Sequence, residues 1–350
     1  MENCSVIDLF CGVGGLSHGF YQEGFTIKAG IDNDAKCEYA FEHNNKSKFI
    51  RKDIKELTSN EVKELFGDAQ VKVLVGCAPC QPFSVYNTKI KEVKDDKWSL
   101  IKQFSRLIAD VKPEIVSMEN VPQLEKYEDG AVFAEFLDNL TANGYGKPYY
   151  AVVNAQNFGV PQRRRRLVLL ASLKGEIKLT DEFNVSAFQT VQDAIGDLPE
   201  IKDGESYKKD RFHHTRKLSP LNKRRIQQSK QGGFWYNDWD QDLWLECHKK
   251  ESGKSFRSVY GRMKWDDVSP TLTTYCIGLG NGRFGHPEQD RAISLREAAI
   301  LQSFPKDYDF FAPDKKYGVM DIARLIGNAV PVRLGRVIAR SIKNHIEKHY

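Results

Sequence analysis

The sequence predicts an α/β fold with a doubly wound, mostly parallel sheet and a smaller second domain. Two observations carry this prediction. Short apolar runs typical of buried strands alternate with amphipathic helical segments up to about residue 180. The alternation then fades, and residues 181–290 are rich in charge, aromatic side chains and glycine without a clear period.

The elements of the first part follow one another as strand and helix. Residues 327–350 regain a helical period after the irregular middle of the chain. The predicted strands are 4–10, 25–31, 71–75, 114–118 and 166–170, with Asp53 at the end of a further strand. The predicted helices are 16–23, 34–44, 100–110 and 132–140.

Composition limits the class of protein. The 350 residues are 41% apolar, enough for a sizeable core, but no apolar run approaches the 18 residues of a membrane span. The first ten residues lack the pattern of a signal peptide, and the seven cysteines are odd in number. We therefore expect a cytoplasmic protein with free thiols and no membrane contact.

A glycine turn, Gly12-Val-Gly-Gly15, separates the first strand from the first helix. Glycines at this position let the backbone approach a ligand and open a helix N-terminus toward it. Asp32 follows about 20 residues later, where an acid hydrogen-bonds ribose hydroxyls in doubly wound sheets. The pattern indicates an adenosine-containing ligand, although a tight turn without a ligand is the alternative. The spacing departs from the dinucleotide pattern, because the next glycine is Gly19.

A second motif, Cys77-Ala-Pro-Cys80, follows the strand 71–75. In a parallel sheet, Cys80 then lies on the same rim as the glycine turn. Three interpretations compete: an inert buried cysteine, a Cys-x-x-Cys redox pair, and half of a zinc site. The zinc interpretation lacks a partner motif in the sequence, but this motif alone does not decide between the other two.

Six motifs follow one another along the chain: Gly12–Gly15, Pro79–Ser84, Glu119–Val121, Gln162–Arg166, Arg296–Pro305 and Ile326–Pro331. Their order resembles the DNA cytosine-5 methyltransferase family. The resemblance runs from Val6 to Val332 and implies a Rossmann-like methyltransferase fold that uses S-adenosylmethionine. It implies a catalytic domain at 1–180, a target-recognition domain at 181–317, and a segment 318–350 that returns to the catalytic domain.

The same resemblance implies a covalent mechanism at a cytosine flipped out of the duplex. The Cys80 thiolate would attack carbon-6, which makes carbon-5 nucleophilic toward the methyl group. Glu119 would stabilise the adduct at ring nitrogen 3. Arg164 and Arg166, which share one side of an extended segment, would favour the thiolate.

The resemblance further implies a pocket for S-adenosylmethionine, double-stranded DNA as partner, a monomer without a stable protein partner, and no metal ion. The enzyme would act on the nucleoid, in restriction-modification or in epigenetic modification. The predicted cofactor-binding residues are Phe10, Gly12, Val13, Gly14, Gly15, Asp32, Asn33, Asp53, Ile54, Pro79, Leu100, Asn328 and Val330.

Two regions of the resemblance concern DNA. Residues 81–99 would form a loop that closes over the flipped base. This loop has Asn87 where the family usually has glycine, and Lys97 where it usually has arginine. The basic stretch 208–230, together with 231–235 and 269–274, is a candidate DNA-facing surface, with a solvated surface as the alternative.

Three alternative functions follow from the same residues. The family's tRNA-methylating branch has threonine where this chain has Ser84. A dithiol oxidoreductase would use Cys77 and Cys80 together. A catalytically silent DNA-binding protein would not need the Cys80, Glu119 and Arg164 that this chain retains.

Overall fold

The computed structural model describes residues 3–79 and 99–350. In this part of the chain a seven-stranded sheet has the order β3-β2-β1-β4-β5-β7-β6. Strands β1 to β5 run parallel, whereas β7 is antiparallel to both β5 and β6. The strands are β1 Cys4–Leu9, β2 Thr26–Asp32, β3 Lys48–Arg51, β4 Val71–Gly76, β5 Ile115–Asn120, β6 Tyr149–Asn154 and β7 Arg165–Ser172.

Helices cover both faces of this sheet and form most of the regular structure after residue 180. Short 3-10 segments connect several of them. The helices are α1 Gly15–Gln22, α2 Glu38–Asn45, α3 Ser59–Phe66, α4 Ser99–Val111, α5 Ala131–Ala142, α6 Val191–Ile195, α7 Pro220–Gln228, α8 Trp235–Asp238, α9 Leu295–Leu301, α10 Val319–Asn328 and α11 Val332–His349.

The central strands are apolar because both of their faces are covered. Every residue of β1 and β5 is buried. Successive side chains point to opposite faces, so Val6 joins one apolar cluster and Ile7 joins the other. The first cluster includes residues of α1 and α11, and the second includes residues of α3, α4 and α5. The predicted mostly parallel, doubly wound sheet is thereby confirmed.

The last helix packs on the first. A Cβ added to Gly19 of α1 would lie 2.7 Å from the Cα of Gly335 in α11, so only glycine permits this distance. At the end of α1, the buried Glu23 carboxylate accepts hydrogen bonds from Arg336 Nε at 2.9 Å and Arg340 Nε at 2.8 Å. The segment 318–350 thus includes a helix that lies directly against the helix following the glycine turn.

Some elements differ from the sequence-based expectation. Strand β3 ends at Arg51 rather than at Asp53. Strand β6 and helix α3 were not predicted, and β7 was predicted without its antiparallel orientation. β6 lies at the edge of the sheet and is only half-buried, so it lacks the continuous apolar run that identified the other strands.

The domain boundaries remain predictions. Buried side chains of 191–195 and 293–301 belong to the same apolar cluster as those of α1. Over residues 3–79 and 99–350, no helix combines the length and the apolarity that crossing a bilayer requires.

Candidate active site

A cavity of about 290 Å³ lies at the carboxyl ends of β1, β4 and β5. The chain leaves β1 toward β2 on one side, and β4 pairs with β1 on the other, so the cavity is at the point where the strand order reverses. Its described lining is Asp8, Phe10, Cys11, Gly12, Val13, Leu16, Asp32, Asn33, Asp34, Cys37, Cys77, Ala78, Pro79, Glu119, Asn120, Val121, Arg166, Arg324, Leu325, Asn328, Ala329 and Val330.

The glycine turn forms one wall of the cavity. Phe10, Gly12 and Gly14 all have positive φ angles, of 59°, 52° and 86°. A Cβ added to Gly12 would meet nothing within 4 Å among the described residues, but on Gly14 it would lie 2.3 Å from Asn45 Nδ2. On Gly15 it would lie 2.3 Å from the Val330 carbonyl oxygen. Gly12 therefore leaves space on the ligand side, while Gly14 and Gly15 permit close packing behind it.

Asp32 ends β2 and fastens the glycine turn to the neighbouring strand. Its Oδ2 accepts the Gly12 N–H at 2.9 Å, and its Oδ1 accepts the Asp34 N–H at 2.9 Å. Burial raises the pKa of the Asp32 carboxyl group. Each carboxylate oxygen has a second lone pair, so Asp32 can hold the turn and also accept a hydrogen bond from a ligand hydroxyl.

Asp8 is a buried acid that the sequence reasoning did not select. Its Oδ2 accepts the Ser17 hydroxyl at 2.6 Å, whereas its buried Oδ1 has no hydrogen-bond partner in the described part of the chain. Burial raises the pKa of Asp8 to about 7. The signal in the sequence is the position of this acid within the apolar run Cys4–Leu9. Burying a carboxyl group costs free energy, so an acid in a buried strand is a candidate functional residue.

Glu119 and Arg166 form an ion pair inside the cavity. Glu119 lies near the end of β5, and the Arg166 Nε lies 2.7 Å from its Oε1. Both side chains are almost buried, with 8% and 13% of their surfaces exposed. A carboxylate that could meet a ring nitrogen is thus held by a cation in a largely water-excluded position.

Cys77 lies beside Glu119 and also lines the cavity. Burial and then the negative charge of Glu119 raise the pKa of the Cys77 thiol well above its ordinary value. The thiolate is the nucleophile in thiol–disulfide exchange, so these surroundings disfavour the redox interpretation of Cys77. Cys80 and residues 81–98 lie outside the described residues, so neither the predicted nucleophile nor the predicted loop is part of this geometry.

The segment just before Cys80 is held by the strand that carries Glu119. The Asn120 side chain donates to the Ala78 carbonyl oxygen at 3.1 Å and is itself buried. Asn120 was part of the Glu119–Val121 motif but had no predicted role. Its contact positions Ala78 and Pro79, the last described residues on this side of the predicted nucleophile.

The arginines of the Gln162–Arg166 motif alternate as predicted. Arg164 and Arg166 are inward, and Arg163 and Arg165 are exposed. The two inward arginines nevertheless reach different places. Arg164 is buried, is absent from the described cavity lining, and donates to main-chain carbonyl oxygens, including those of Leu272 at 3.0 Å and Gly327 at 3.1 Å.

The predicted cofactor residues divide into two groups. Those in the described cavity lining are Phe10, Gly12, Val13, Asp32, Asn33, Pro79, Asn328 and Val330. Those outside it are Gly14, Gly15, Asp53, Ile54 and Leu100. Ile54 and Leu100 belong to the second apolar cluster, and Asp53 Oδ1 accepts the Lys55 N–H at 2.9 Å.

The basic stretch 208–230 is not a uniform cationic surface. Arg211 contacts Asp309, and the buried Arg225 donates to the Leu243 carbonyl oxygen. Both side chains therefore hold the fold, whereas Lys208, Lys209 and Lys217 are exposed. Charge counting could not separate these two groups, because the partners lie far away in sequence.

The amino-acid sequence matches a known protein family and known relatives along almost its whole length. A family model for the C-5 cytosine-specific DNA methylase matches residues 4–344. The chain is 52% identical over 344 residues to the type II methylase M.HgiDII of Herpetosiphon aurantiacus, covering 98% of this chain and 96% of that one. It is 31% identical over 360 residues to the type II methyltransferase M1.BsuMI of Bacillus subtilis strain 168, covering 97% and 80%.

Solved structures agree on the fold. A candidate DNA modification methyltransferase encoded within an Escherichia coli prophage aligns with a TM-score of 0.73 at 24% identity, covering 98% of this chain and 99% of that one. The methyltransferase EhMeth of Entamoeba histolytica aligns with a TM-score of 0.68 at 16% identity, covering 99% of both. At these identities the likeness concerns the fold.

Proposed function

The chain belongs to the C-5 cytosine-specific DNA methylase family and is a DNA cytosine methyltransferase, and from this premise we propose how its residues perform the reaction. The methyl donor is S-adenosylmethionine, and the acceptor is carbon-5 of a cytosine flipped out of a double-stranded DNA site. Cys80 is the nucleophile, and Glu119 with Arg166 stabilises the adduct. The observation that carries this proposal is the buried Glu119–Arg166 pair in the cavity beside the glycine turn.

The described cavity has the chemistry that this cofactor requires. S-adenosylmethionine supplies an electrophilic methyl group on a sulfonium centre when it is bound. Gly12 leaves open space at the cavity, and Asp32 offers carboxylate lone pairs for ribose hydroxyls. The buried Oδ1 of Asp8 has no hydrogen-bond partner among the described residues, so it can accept a hydrogen bond from a ligand. Asn328 and Val330 also line the cavity, and Val330 adjoins the glycine turn at Gly15.

The chain's own groups carry the chemistry at the base. The Cys80 thiolate forms a bond to carbon-6, and the electron pair of the carbon-5–carbon-6 double bond becomes available at carbon-5. Carbon-5, activated in this way by Cys80, would then accept the methyl group that bound S-adenosylmethionine would supply. When the carbon-5 proton is lost to solvent, the electrons of that C–H bond re-form the carbon-5–carbon-6 double bond, and the Cys80 thiolate leaves with the electrons of its bond to carbon-6.

Glu119 acts where charge develops during this addition. Attack at carbon-6 increases electron density at ring nitrogen 3, and a proton shared between that nitrogen and the Glu119 carboxyl group stabilises the adduct. Arg166 fixes the carboxyl group, because its guanidinium lies 2.7 Å from Glu119 Oε1. Arg164 supports the reaction without belonging to the described cavity lining.

The DNA contacts are proposed at a coarser level. Residues 181–317 recognise the target, and the exposed Lys208, Lys209 and Lys217 attract the phosphate backbone. The 52% identity to a type II methylase favours a role in restriction-modification. We propose that the protein acts as a monomer in the cytoplasm, where its DNA is found.

Two measurements test the proposal. Bisulfite sequencing of DNA from cells that express the protein should reveal methylated cytosines within one short sequence. DNA with 5-fluorocytosine at that position should become covalently attached, because fluorine does not leave as a proton does. Cys80→Ser should abolish the attachment, and methylation that persists in a Cys80→Ala variant would refute the mechanism.

A further inference from the structure

Three buried polar side chains form a network behind the cavity wall. Gln162, Arg164 and Gln302 are each at most 2% exposed. Gln162 Nε2 donates to Gln302 Oε1 at 2.5 Å, and Arg164 Nη1 lies 3.4 Å from Gln162 Oε1. Buried polar groups of this kind are costly unless they are satisfied, so their partners indicate what the network is for.

Three of these partners are carbonyl oxygens at the end of α10 or directly after it. The last carbonyl groups of a helix have no partner within the helix and carry its negative dipole end. Gln302 Nε2 donates to Ile326 O at 3.0 Å and to Ala329 O at 2.9 Å. Arg164 Nη2 donates to Gly327 O at 3.1 Å and to Ala329 O at 3.2 Å. A guanidinium and an amide from two distant segments therefore cap α10.

The same network joins this helix end to residues 272 and 273. Arg164 Nη1 donates to Leu272 O at 3.0 Å, and Gln162 Oε1 accepts the Leu272 N–H at 3.1 Å. A Cβ added to Gly327 would lie 2.2 Å from the Thr273 carbonyl oxygen. The two backbones are thus in direct contact, and Arg164 bonds to both.

The capped segment forms one wall of the proposed cofactor pocket. Asn328, Ala329 and Val330 line the cavity, and Arg164 and Gln302 both hold the carbonyl group of Ala329 within this segment. On its other side, the Val330 carbonyl oxygen meets the backbone at Gly15. Residues 328–330 are therefore fixed between the network and the glycine turn.

We infer that Arg164 and Gln302 are positioning residues that hold 328–330 in the shape that binds the cofactor. This assigns Arg164 a different task from Arg166, which reaches Glu119 within the cavity. The inference rests on the proposed binding of S-adenosylmethionine to this cavity. It predicts that the loss of Arg164 weakens cofactor binding, whereas the loss of Arg166 slows the reaction of the bound complex.

The test compares Arg164→Met and Gln302→Met with Arg166→Met and with Arg163→Gln, a variant of an exposed arginine. S-adenosylhomocysteine is the binding probe in titration calorimetry, and single-turnover methyl transfer is measured at saturating S-adenosylmethionine. We expect Arg164→Met and Gln302→Met to weaken binding of the probe roughly tenfold or more, because each variant loses buried hydrogen bonds. At saturating S-adenosylmethionine, both variants should reach most of the wild-type rate of methyl transfer. Arg163→Gln should match the wild-type protein in both measurements.

The inference is overturned if the Arg164 variant loses the rate of methyl transfer rather than the affinity for the probe. If Arg164→Met binds the probe with unchanged affinity but loses the rate at saturation, Arg164 acts in the chemistry. If Arg164→Met does not fold, Gln302→Met decides by the same criterion. Amide hydrogen exchange of 327–330 in ligand-free protein gives a readout that does not depend on the cofactor. The exchange rate should rise in the Arg164→Met and Gln302→Met variants, whether or not the wild-type protein binds the probe. Failure of the wild-type protein to bind the probe would refute only the proposed function. An unchanged exchange rate in the variants would refute the inference.

Discussion

Two buried acids line the same cavity with different partners. Glu119, on β5, meets the guanidinium of Arg166, whereas Asp8, on β1, accepts the hydroxyl of Ser17 and pairs with no cation in the described part of the chain. The guanidinium beside Glu119 offsets the cost of burying that acid, whereas burial raises the pKa of Asp8, which has no cation beside it among the described residues. A single cavity therefore provides one acid paired with a cation and another whose charged form is disfavoured by burial.

Removing the carboxylate of Glu119 should have the largest effect. Glu119→Gln keeps the shape but cannot share a proton with ring nitrogen 3 in the same way, so methyl transfer should slow by about 100-fold or more. Single-turnover transfer at saturating cofactor measures this. Glu135→Gln, at an exposed acid 3.6 Å from Lys102, is the matched control and should keep the wild-type rate. A Glu119→Gln rate within a fewfold of wild type would contradict the role of Glu119.

Removing only the cation should destabilise the fold. Arg166→Met leaves the Glu119 carboxylate buried without its partner, and such a loss costs on the order of 3–5 kcal/mol. The free energy of unfolding from urea titrations at neutral pH measures the effect. The double variant Glu119→Gln with Arg166→Met should recover a substantial part of the loss. If the double variant is as unstable as the sum of the single variants, the two side chains are not coupled.

Asp8 should make stability depend on pH in a defined direction. Burial raises its pKa from the ordinary 3.8 to about 7, so the folded state binds a proton that the unfolded state has released between these values. The contribution of Asp8 to the free energy of unfolding should therefore fall as the pH rises from about 4 through about 7. Urea unfolding of wild type and Asp8→Asn across this range isolates it. Parallel curves for the two proteins would refute the shift.

The smallest effect is expected at Cys77. Burial and the charge of Glu119 raise the pKa of the partly buried Cys77 thiol, and the proposed mechanism requires no second sulfur, so Cys77→Ala should retain methyl transfer. It should lose only about 1 kcal/mol of stability, the scale of one small buried group. Bisulfite sequencing and urea unfolding measure the two quantities. Loss of methylation in a folded Cys77→Ala protein would revive the dithiol interpretation.

The sequence predicted the parts of the fold that depend on local patterns. Buried parallel strands have continuous apolar runs, so β1, β2, β4 and β5 were found close to their observed bounds. Strand β6 was missed because its half-buried residues alternate weakly and its partner β7 follows it only after an intervening 3-10 turn. The antiparallel orientation of β7 depends on tertiary pairing, which a local pattern does not contain.

The candidate site shows the same division. Motif order located Gly12, Glu119 and Arg166, and the spacing after the glycine turn located Asp32. The structure brings all four to one cavity. Motif order could not distinguish Arg164 from Arg166, because both are inward arginines of one short segment and only their distant partners differ. Asp8 was missed because a single acid in an apolar run has no spacing rule, although its burial makes it chemically distinctive.

The glycine contact between α1 and α11 has a consequence for the order in which the molecule folds. The helix after the first strand finds its partner face on a helix more than 300 residues later in the chain, as the Glu23–Arg336 pair records. During synthesis, the apolar face of α1 therefore stays uncovered until α11 has left the ribosome. Such a long loop closure is slow, so the wall formed by 328–330 should be among the last parts to assemble.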